Sequence, residues 1–221
     1  MFKTVLVVLV AVLAVSALVS ASASAATCTT KPCFTGPYPN TFITTSGAFT
    51  RETSGGTRVK CSGPGSTEGA EITAEKYLKV KALVFKGCET GGFKCNTAGA
   101  KQGEIKTNEL EGILGYVSKA TKTVGVDLKP KGGGNVAKFE CTAFITVIIR
   151  GSIIGAITPI NIETTKYRLV FNEAKGKQQL QNLEGQAKDT LESSTNGGSF
   201  EGEGWELSEE LTLAKTVKIE A

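Results

Sequence analysis

The sequence predicts an all-β protein: an antiparallel barrel, closed or partly open, or a β-sandwich, behind an N-terminal signal-peptide helix. Short segments alternate between apolar and polar residues, as strands do when one sheet face is buried. Glycine-rich turns separate them. Beyond the leader no stretch keeps a convincing helical period, and Gly185 interrupts the best candidate, residues 180–191. A barrel is favoured because a closed sheet has no exposed edges.

The first 25 residues have the composition of a cleavable secretory signal peptide. Lys3 supplies the basic end, residues 5–15 are apolar, and Ala23 and Ala25 provide the small-residue spacing that signal peptidase reads. A membrane anchor needs about 20 apolar residues, and this run is shorter. We expect cleavage near Ala25, secretion to the extracellular space and no membrane span in the mature chain. A lipid-modified Cys28 is the alternative, but the residues before it fit that signal poorly.

The remaining chain is predicted to hold a short arm and one domain. Residues 26–40 are rich in proline and are expected to form an irregular N-terminal arm tied by its own disulfide. Residues 41–221 are expected to form a single all-β domain, which is long enough to bury a core. The net charge is +4, and the four arginines are scattered. This balance argues against a nucleic-acid partner.

Cysteine usage predicts three disulfides. Six cysteines follow the leader, and an even number in an exported chain indicates disulfide pairing. Sequence alone allows fifteen connectivities, but spacing favours two short loops, one of them around a Gly-Gly turn, and one long loop. The preferred pairs are Cys28–Cys33, Cys88–Cys95 and Cys61–Cys141.

The strands are justified by alternation, β-branched residues and turn signals. Residues 77–86 alternate most clearly, and Asn196-Gly197 marks a hairpin because both positions of its turn need positive φ. Gly151 interrupts the most apolar stretch, where we expect a bulge or bend. The predicted strands are residues 41–45, 47–51, 57–61, 77–86, 113–118, 123–128, 144–149, 152–154, 166–171, 191–194, 199–202 and 211–219.

The residues available for catalysis are few. The chain has no histidine, which removes histidine-dependent nucleophilic catalysis and the commonest zinc ligand. Paired carboxylates remain, and Glu104, Glu111 and Asp127 are the candidates, although exposed strand and turn positions explain them more simply. The two aspartates are far apart in sequence, so no calcium site is expected. We predict no catalytic residues, no metal and no cofactor.

Trp205 is a weak candidate for stacking on a ligand. It is the single tryptophan, in a Gly-Trp-Glu sequence, and tryptophan presents a large flat face. The simpler interpretation is that it packs at the edge of the sheet.

Six segments form a distinctive set, although none of them is a catalytic signature. They are residues 103–116, 124–130, 150–155, 175–178, 188–189 and 191–192. Together they resemble a family of uncharacterised exported β-rich proteins that occur in multiple copies in soil actinobacteria. The resemblance implies export and a β-rich fold, and it implies no functional residue. The Trp205 segment is not part of the pattern.

These features favour an exported, non-enzymatic β domain that binds a ligand or surface component outside the cell. One version places a small apolar ligand inside the barrel. The other places a protein or wall polymer on a loop face. An extracellular polysaccharide hydrolase that uses paired glutamates and a structural surface protein without a ligand are the alternatives.

Overall fold

The computed structural model describes residues 28–142 and 144–221, so the predicted signal peptide and its cleavage site near Ala25 lie outside the described residues. The described chain folds into seventeen strands without a helix, and the predicted all-β class is confirmed. No helix in residues 28–142 and 144–221 is long and apolar enough to cross a membrane.

The strands follow closely on one another. Residues 180–191, the best helical candidate in the sequence, are irregular. In chain order the strands are β1 (Cys33–Thr35), β2 (Asn40–Ser46), β3 (Phe49–Thr53), β4 (Arg58–Cys61), β5 (Gly65–Ile72), β6 (Tyr77–Lys86), β7 (Cys88–Thr90), β8 (Phe93–Asn96), β9 (Glu104–Lys106), β10 (Leu110–Ser118), β11 (Thr123–Pro130), β12 (Asn135–Cys141), β13 (Thr146–Arg150), β14 (Ile153–Thr158), β15 (Glu163–Phe171), β16 (Glu192–Thr195) and β17 (Glu201–Glu220).

Eight strands close into an antiparallel barrel, which we call the first barrel. The circuit of pairings is β17–β2–β5–β6–β10–β11–β14–β15 and back to β17. The sequence favoured a barrel over a sandwich, and this closed circuit confirms the barrel. Closure removes the unpaired edges that an open sheet would expose.

A second closed circuit, the second ring, stands at one end of the first barrel. Its pairings run β17–β3–β4–β7–β8–β12–β13–β16 and back to β17. The strands follow the same circular order as their counterparts in the first barrel, and β17 is long enough to belong to both. The chain is therefore an up-and-down meander of eight long segments. One part of each segment belongs to the first barrel and the other part to the second ring.

These segments pass from one ring to the other at short breaks between strands. Gly87 alone separates β6 from β7, and Gly151 with Ser152 separates β13 from β14. The interruption expected at Gly151 is thus present, and its φ of +93° is in the left-handed region that favours glycine. The sequence did not anticipate β5 or β12.

A layer of aromatic side chains divides the two interiors. The rings of Phe49 and Phe85 stack with centroids 4.1 Å apart, and Trp205 meets them edge-on at 5.1 and 5.7 Å. Below this layer the first barrel is filled by aliphatic and aromatic side chains from alternate positions of its strands. Above it, the second ring encloses charged as well as apolar residues.

The disulfide pattern is partly as predicted. Cys28 pairs with Cys33, but the other two bonds are Cys61–Cys88 and Cys95–Cys141, so the predicted pairs Cys88–Cys95 and Cys61–Cys141 are wrong. These four cysteines lie in one row across β4, β7, β8 and β12. A Cys88–Cys95 bond would leave the outer two cysteines three strand spacings apart, about 14 Å, which no disulfide spans.

The N-terminal arm is more regular than the sequence indicated. Residues 33–35 form β1, which pairs with the end of β17 at Lys218, Ile219 and Glu220. The arm also contacts the β5–β6 turn, where Lys76 Nζ donates to Pro32 O at 2.9 Å. The arm therefore adds a strand beside the barrel.

Candidate functional site

The lumen of the first barrel is almost filled. Its cavity measures about 20 Å³, which holds about one water molecule, whereas pockets for small organic ligands measure about 300–1,000 Å³. The lumen therefore has no room for the small apolar ligand that one version of the binding hypothesis placed there. Its lining is Phe42, Thr44, Thr67, Leu78, Val80, Leu83, Val126, Leu128, Leu169, Phe171, Glu209 and Leu211.

A long irregular segment lies over the outside of the barrel wall. It comprises residues 172–191, between β15 and β16, and we call it the covering loop. Loops of this length without regular structure are uncommon in compact domains and usually carry function.

Two glycines let the covering loop press against the backbone of the barrel. A Cβ on Gly176 would lie 2.1 Å from the carbonyl carbon of Thr53, and one on Gly151 would lie 2.0 Å from Thr190 O. Both glycines have positive φ, so space and conformation exclude a larger residue. The loop is therefore held at a fixed distance from the wall.

Side chains anchor the loop between these points. The Gln178 amide is buried; its oxygen accepts the Trp205 backbone N–H at 3.0 Å, and its nitrogen donates to Asn172 O at 3.0 Å. Leu183 is also buried, in the space left by Gly115. These contacts fix the loop's course, so the side chains it presents have defined positions.

An ionic contact joins the far end of the loop to the barrel. Lys129 Nζ lies 2.9 Å from Asp189 Oδ2 and 3.4 Å from Asp127 Oδ2. The two aspartates, distant in sequence, thus share one lysine. Burial raises the pKa of Asp127, and the hydrogen bond to Asp189 raises the pKa of Lys129.

The three candidate carboxylates for paired-acid chemistry do not share an open cleft. Asp127 is only 2% exposed and lies beside Lys129, so a substrate has no access to it. Glu111 is on the neighbouring strand, opposite Lys129 in the register. Glu104 is on β9 with Lys106 at 3.5 Å. Asp127 and Glu104 are thus ion-paired and Glu111 is exposed on its strand, so the three give the hydrolase hypothesis no support.

A pocket of about 210 Å³, the loop pocket, opens between the covering loop and the beginning of β17. Lys177, Lys188, Gln178 and Gln181 line its walls. Thr190 adds a hydroxyl group. The full lining is Lys177, Gln178, Gln181, Lys188, Thr190, Leu191, Gly202 and Glu203.

The lysines of the loop pocket are free of ionic partners. Asp189 is engaged with Lys129, and the Glu203 carboxylate is turned into the second ring towards Arg51. In the part of the chain that the structure describes, no carboxylate lies within salt-bridge distance of Lys177 or Lys188. The loop pocket is therefore positively charged.

Behind the loop pocket lies a buried ion pair that sequence reasoning missed. Arg51 Nη2 is 2.7 Å from Glu203 Oε2, with both side chains at most 1% exposed. Ser193 Oγ is 3.2 Å from the same nitrogen, and the guanidinium lies 5.7 Å from the Phe139 ring centre. The pair was hidden because alternate charged residues in a strand usually indicate an exposed face.

Trp205 belongs to this interior and not to a binding surface. It is 1% exposed, and its indole N–H donates to Glu203 Oε1 at 2.7 Å. Trp205 is therefore a packed residue that orients Glu203, and the sequence-based suggestion of ligand stacking is not supported.

No protein-family model, curated protein or solved structure matches the chain, so the geometry of the loop pocket is the basis on which its function is argued.

Proposed function

We propose that the protein is a secreted, non-enzymatic binding module and that the loop pocket is its ligand site. The construction of the pocket carries the proposal. Two lysines that have no ionic partner among the described residues line about 210 Å³ of space, together with Thr190. They are presented by a loop that is fixed against a closed β scaffold. Binding residues are typically carried in this way, on loops positioned by a rigid framework.

The chemistry of the walls selects an anionic group. Each lysine offers a compact positive charge with three donors. The Gln178 and Gln181 amides already donate to the carbonyls of Asn172 and Gln178, so they shape the wall. Thr190 adds a hydroxyl. We expect the ligand to present a phosphate or a carboxylate, as an acidic polymer of the cell surface or its surroundings does. The ligand binds on the loop face, while the barrel serves as scaffold.

Three further observations support a role outside the cell and without catalysis. All six cysteines are paired in disulfides, which is typical of oxidising compartments. The leader has the composition of a secretory signal. The chain has no histidine. Two segments of the family resemblance, residues 175–178 and 188–189, contribute to the pocket, which fits a binding role for it.

The test measures anion binding at the loop pocket by calorimetric titration at low ionic strength. The probes are inorganic phosphate and glucuronate, with neutral glucose as the uncharged comparison. We expect saturable binding of at least one anion and none of glucose. K177Q/K188Q should weaken binding by at least tenfold, because hydrogen bonds to charged groups contribute about 1.5–3 kcal/mol each.

The matched control is K60Q/K101Q, which removes the same charge from two exposed lysines outside the pocket. Its affinity should stay within twofold of the unmodified protein. Equal weakening by both double variants would reduce the effect to net charge and contradict the assignment. If neither phosphate nor glucuronate binds, the result would favour the alternative of a structural surface protein without a ligand.

A further inference from the structure

The lumen of the first barrel contains an unusual polar cluster. Glu209 is 2% exposed, and its carboxyl group faces the small cavity among aliphatic and aromatic side chains. In the register, Glu209 is opposite Ser46, and Leu211 is opposite Thr44. Within the described residues, both Glu209 oxygens and the hydroxyls of Thr44 and Ser46 are buried without a defined hydrogen-bond partner. Such groups in a native interior call for a physical explanation.

In the part of the chain that the structure describes, no basic side chain lines the cavity beside Glu209. The cavity lining contributed by β2, β5, β6, β11 and β15 consists of aliphatic, aromatic and threonine side chains. Elsewhere in the described interior, Tyr167 donates its hydroxyl to Val217 O at 2.6 Å, and burial raises its pKa to about 12. Arg51 and Glu203 are paired with each other in the second ring.

A neutral carboxyl group suits this environment better than a carboxylate. An unpaired buried charge costs several kcal/mol more than a hydrogen-bonded neutral group. The protonated acid can donate its O–H to one hydroxyl and accept from the other, which satisfies Thr44 and Ser46 at once. Burial raises the pKa of Glu209, and this effect exceeds the lowering by hydrogen bonds from the Thr44 and Ser46 hydroxyls.

We propose that Glu209 is a buried proton-binding site that couples closure of the first barrel to pH. The neutral acid, hydrogen-bonded to Thr44 and Ser46, belongs to the closed barrel. Loss of its proton to solvent favours a loosened, hydrated lumen. Because the folded-state pKa lies above the unfolded value of about 4.3, the stabilisation is complete below that value and is lost as the pH rises through the folded-state pKa.

The test compares the unfolding equilibria of the unmodified protein and E209Q in urea from pH 4 to pH 9. Glutamine imitates the neutral acid and does not titrate. We expect the folding constant of the unmodified protein to fall relative to E209Q by up to tenfold per pH unit between about pH 4.3 and the folded-state pKa. Above that pKa the ratio should level off, because the folded and unfolded states have then both lost the proton. E210Q, at the exposed neighbouring position, should follow the unmodified protein throughout.

Parallel pH profiles for the unmodified protein and E209Q would overturn the proposal. So would stabilisation that rises with pH and depends on sodium, because that result assigns the four oxygens to a cation. If E209Q does not fold, the comparison in urea is replaced by ¹³C NMR of the side-chain carboxyl groups in the unmodified protein. Glu209 should then titrate above the ordinary glutamate value of about 4.3, and a midpoint at or below that value would contradict the inference.

Discussion

The first barrel and the second ring are formed by the same meander but closed by different means. In the first barrel the ladders are long: β10 and β11 share eight register pairs, and β5 and β6 share six. In the second ring, four junctions share only two pairs each, namely β4–β7, β7–β8, β8–β12 and β16–β17, and disulfides lie at β4–β7 and β8–β12. Covalent bonds thus reinforce two of the four shortest ladders of the second ring.

The interiors of the first barrel and the second ring also differ. The interior of the first barrel is mostly apolar and holds one cluster of unpartnered polar groups around Glu209, whereas the second ring encloses the Arg51–Glu203 ion pair. A buried ion pair is stable only while each charge keeps its partner, so the interior of the second ring depends on those two residues. The comparison indicates that the first barrel is the stable base and that the second ring depends on a few specific contacts.

The largest expected effect comes from removing both disulfides of the second ring in C61S/C88S/C95S/C141S. The bonds close segments with sequence separations of 27 and 46 residues, and each contributes about 4 kcal/mol in the chain-entropy model. Without them, the β7–β8 hairpin is held by two-pair ladders on either side. Urea unfolding measures the loss.

C28S/C33S is the control for the disulfides. The Cys28–Cys33 disulfide that it removes joins residues only 5 positions apart and lies in the N-terminal arm, outside the second ring. The same model assigns it about 2 kcal/mol. A loss from C28S/C33S as large as that of the four-serine variant would contradict the special role given to the ring disulfides.

The next effect concerns the buried ion pair. E203L leaves the Arg51 guanidinium buried without its partner, and we expect a loss of about 3–5 kcal/mol. R51M/E203L replaces both charges and should recover most of that stability. E71Q, which breaks the exposed Lys79–Glu71 pair, should change stability by less than 1 kcal/mol. A double-mutant cycle in denaturant measures the coupling, and no recovery in R51M/E203L would refute it.

The smallest effect concerns the tie between covering loop and barrel. D189N removes the shorter contact to Lys129, so the loop should be held less firmly and anion affinity at the loop pocket should fall a few-fold. The carboxylate itself is not part of the pocket lining. E109Q breaks the similarly exposed Lys131–Glu109 pair and should leave affinity unchanged. Equal anion affinities for D189N and the unmodified protein would show that the Asp189–Lys129 contact does not position the loop pocket.

Sequence patterns captured the strands that have one buried and one exposed face. The predicted strand 77–86 coincides with β6, because its apolar residues alternate. β5 was missed since its middle carries Glu68 and Gly69, which favour a turn when considered in isolation. The choice of a barrel followed from the absence of helices and the succession of hairpins.

The candidate site was less accessible to sequence reasoning. Disulfide pairing failed because four cysteines share one row across four strands, and spacing cannot tell which neighbour each bonds. The loop pocket was missed because Lys177 and Lys188 are ordinary surface residues until the course of the loop brings them together. Glu209 was missed because a charged residue at an inward position breaks the alternation used to find strands.

Hydrogen–deuterium exchange of the disulfide-bonded protein and the four-serine variant tests most directly whether the two rings are closed by different means. Exchange reports the free energy of local opening along the chain. We predict that amides of β4, β7, β8 and β12 lose protection by at least a hundredfold in the variant, while those of β10, β11, β14 and β15 change by less than tenfold. Equal loss in both rings, or full protection of the β7–β8 hairpin in the variant, would contradict the account.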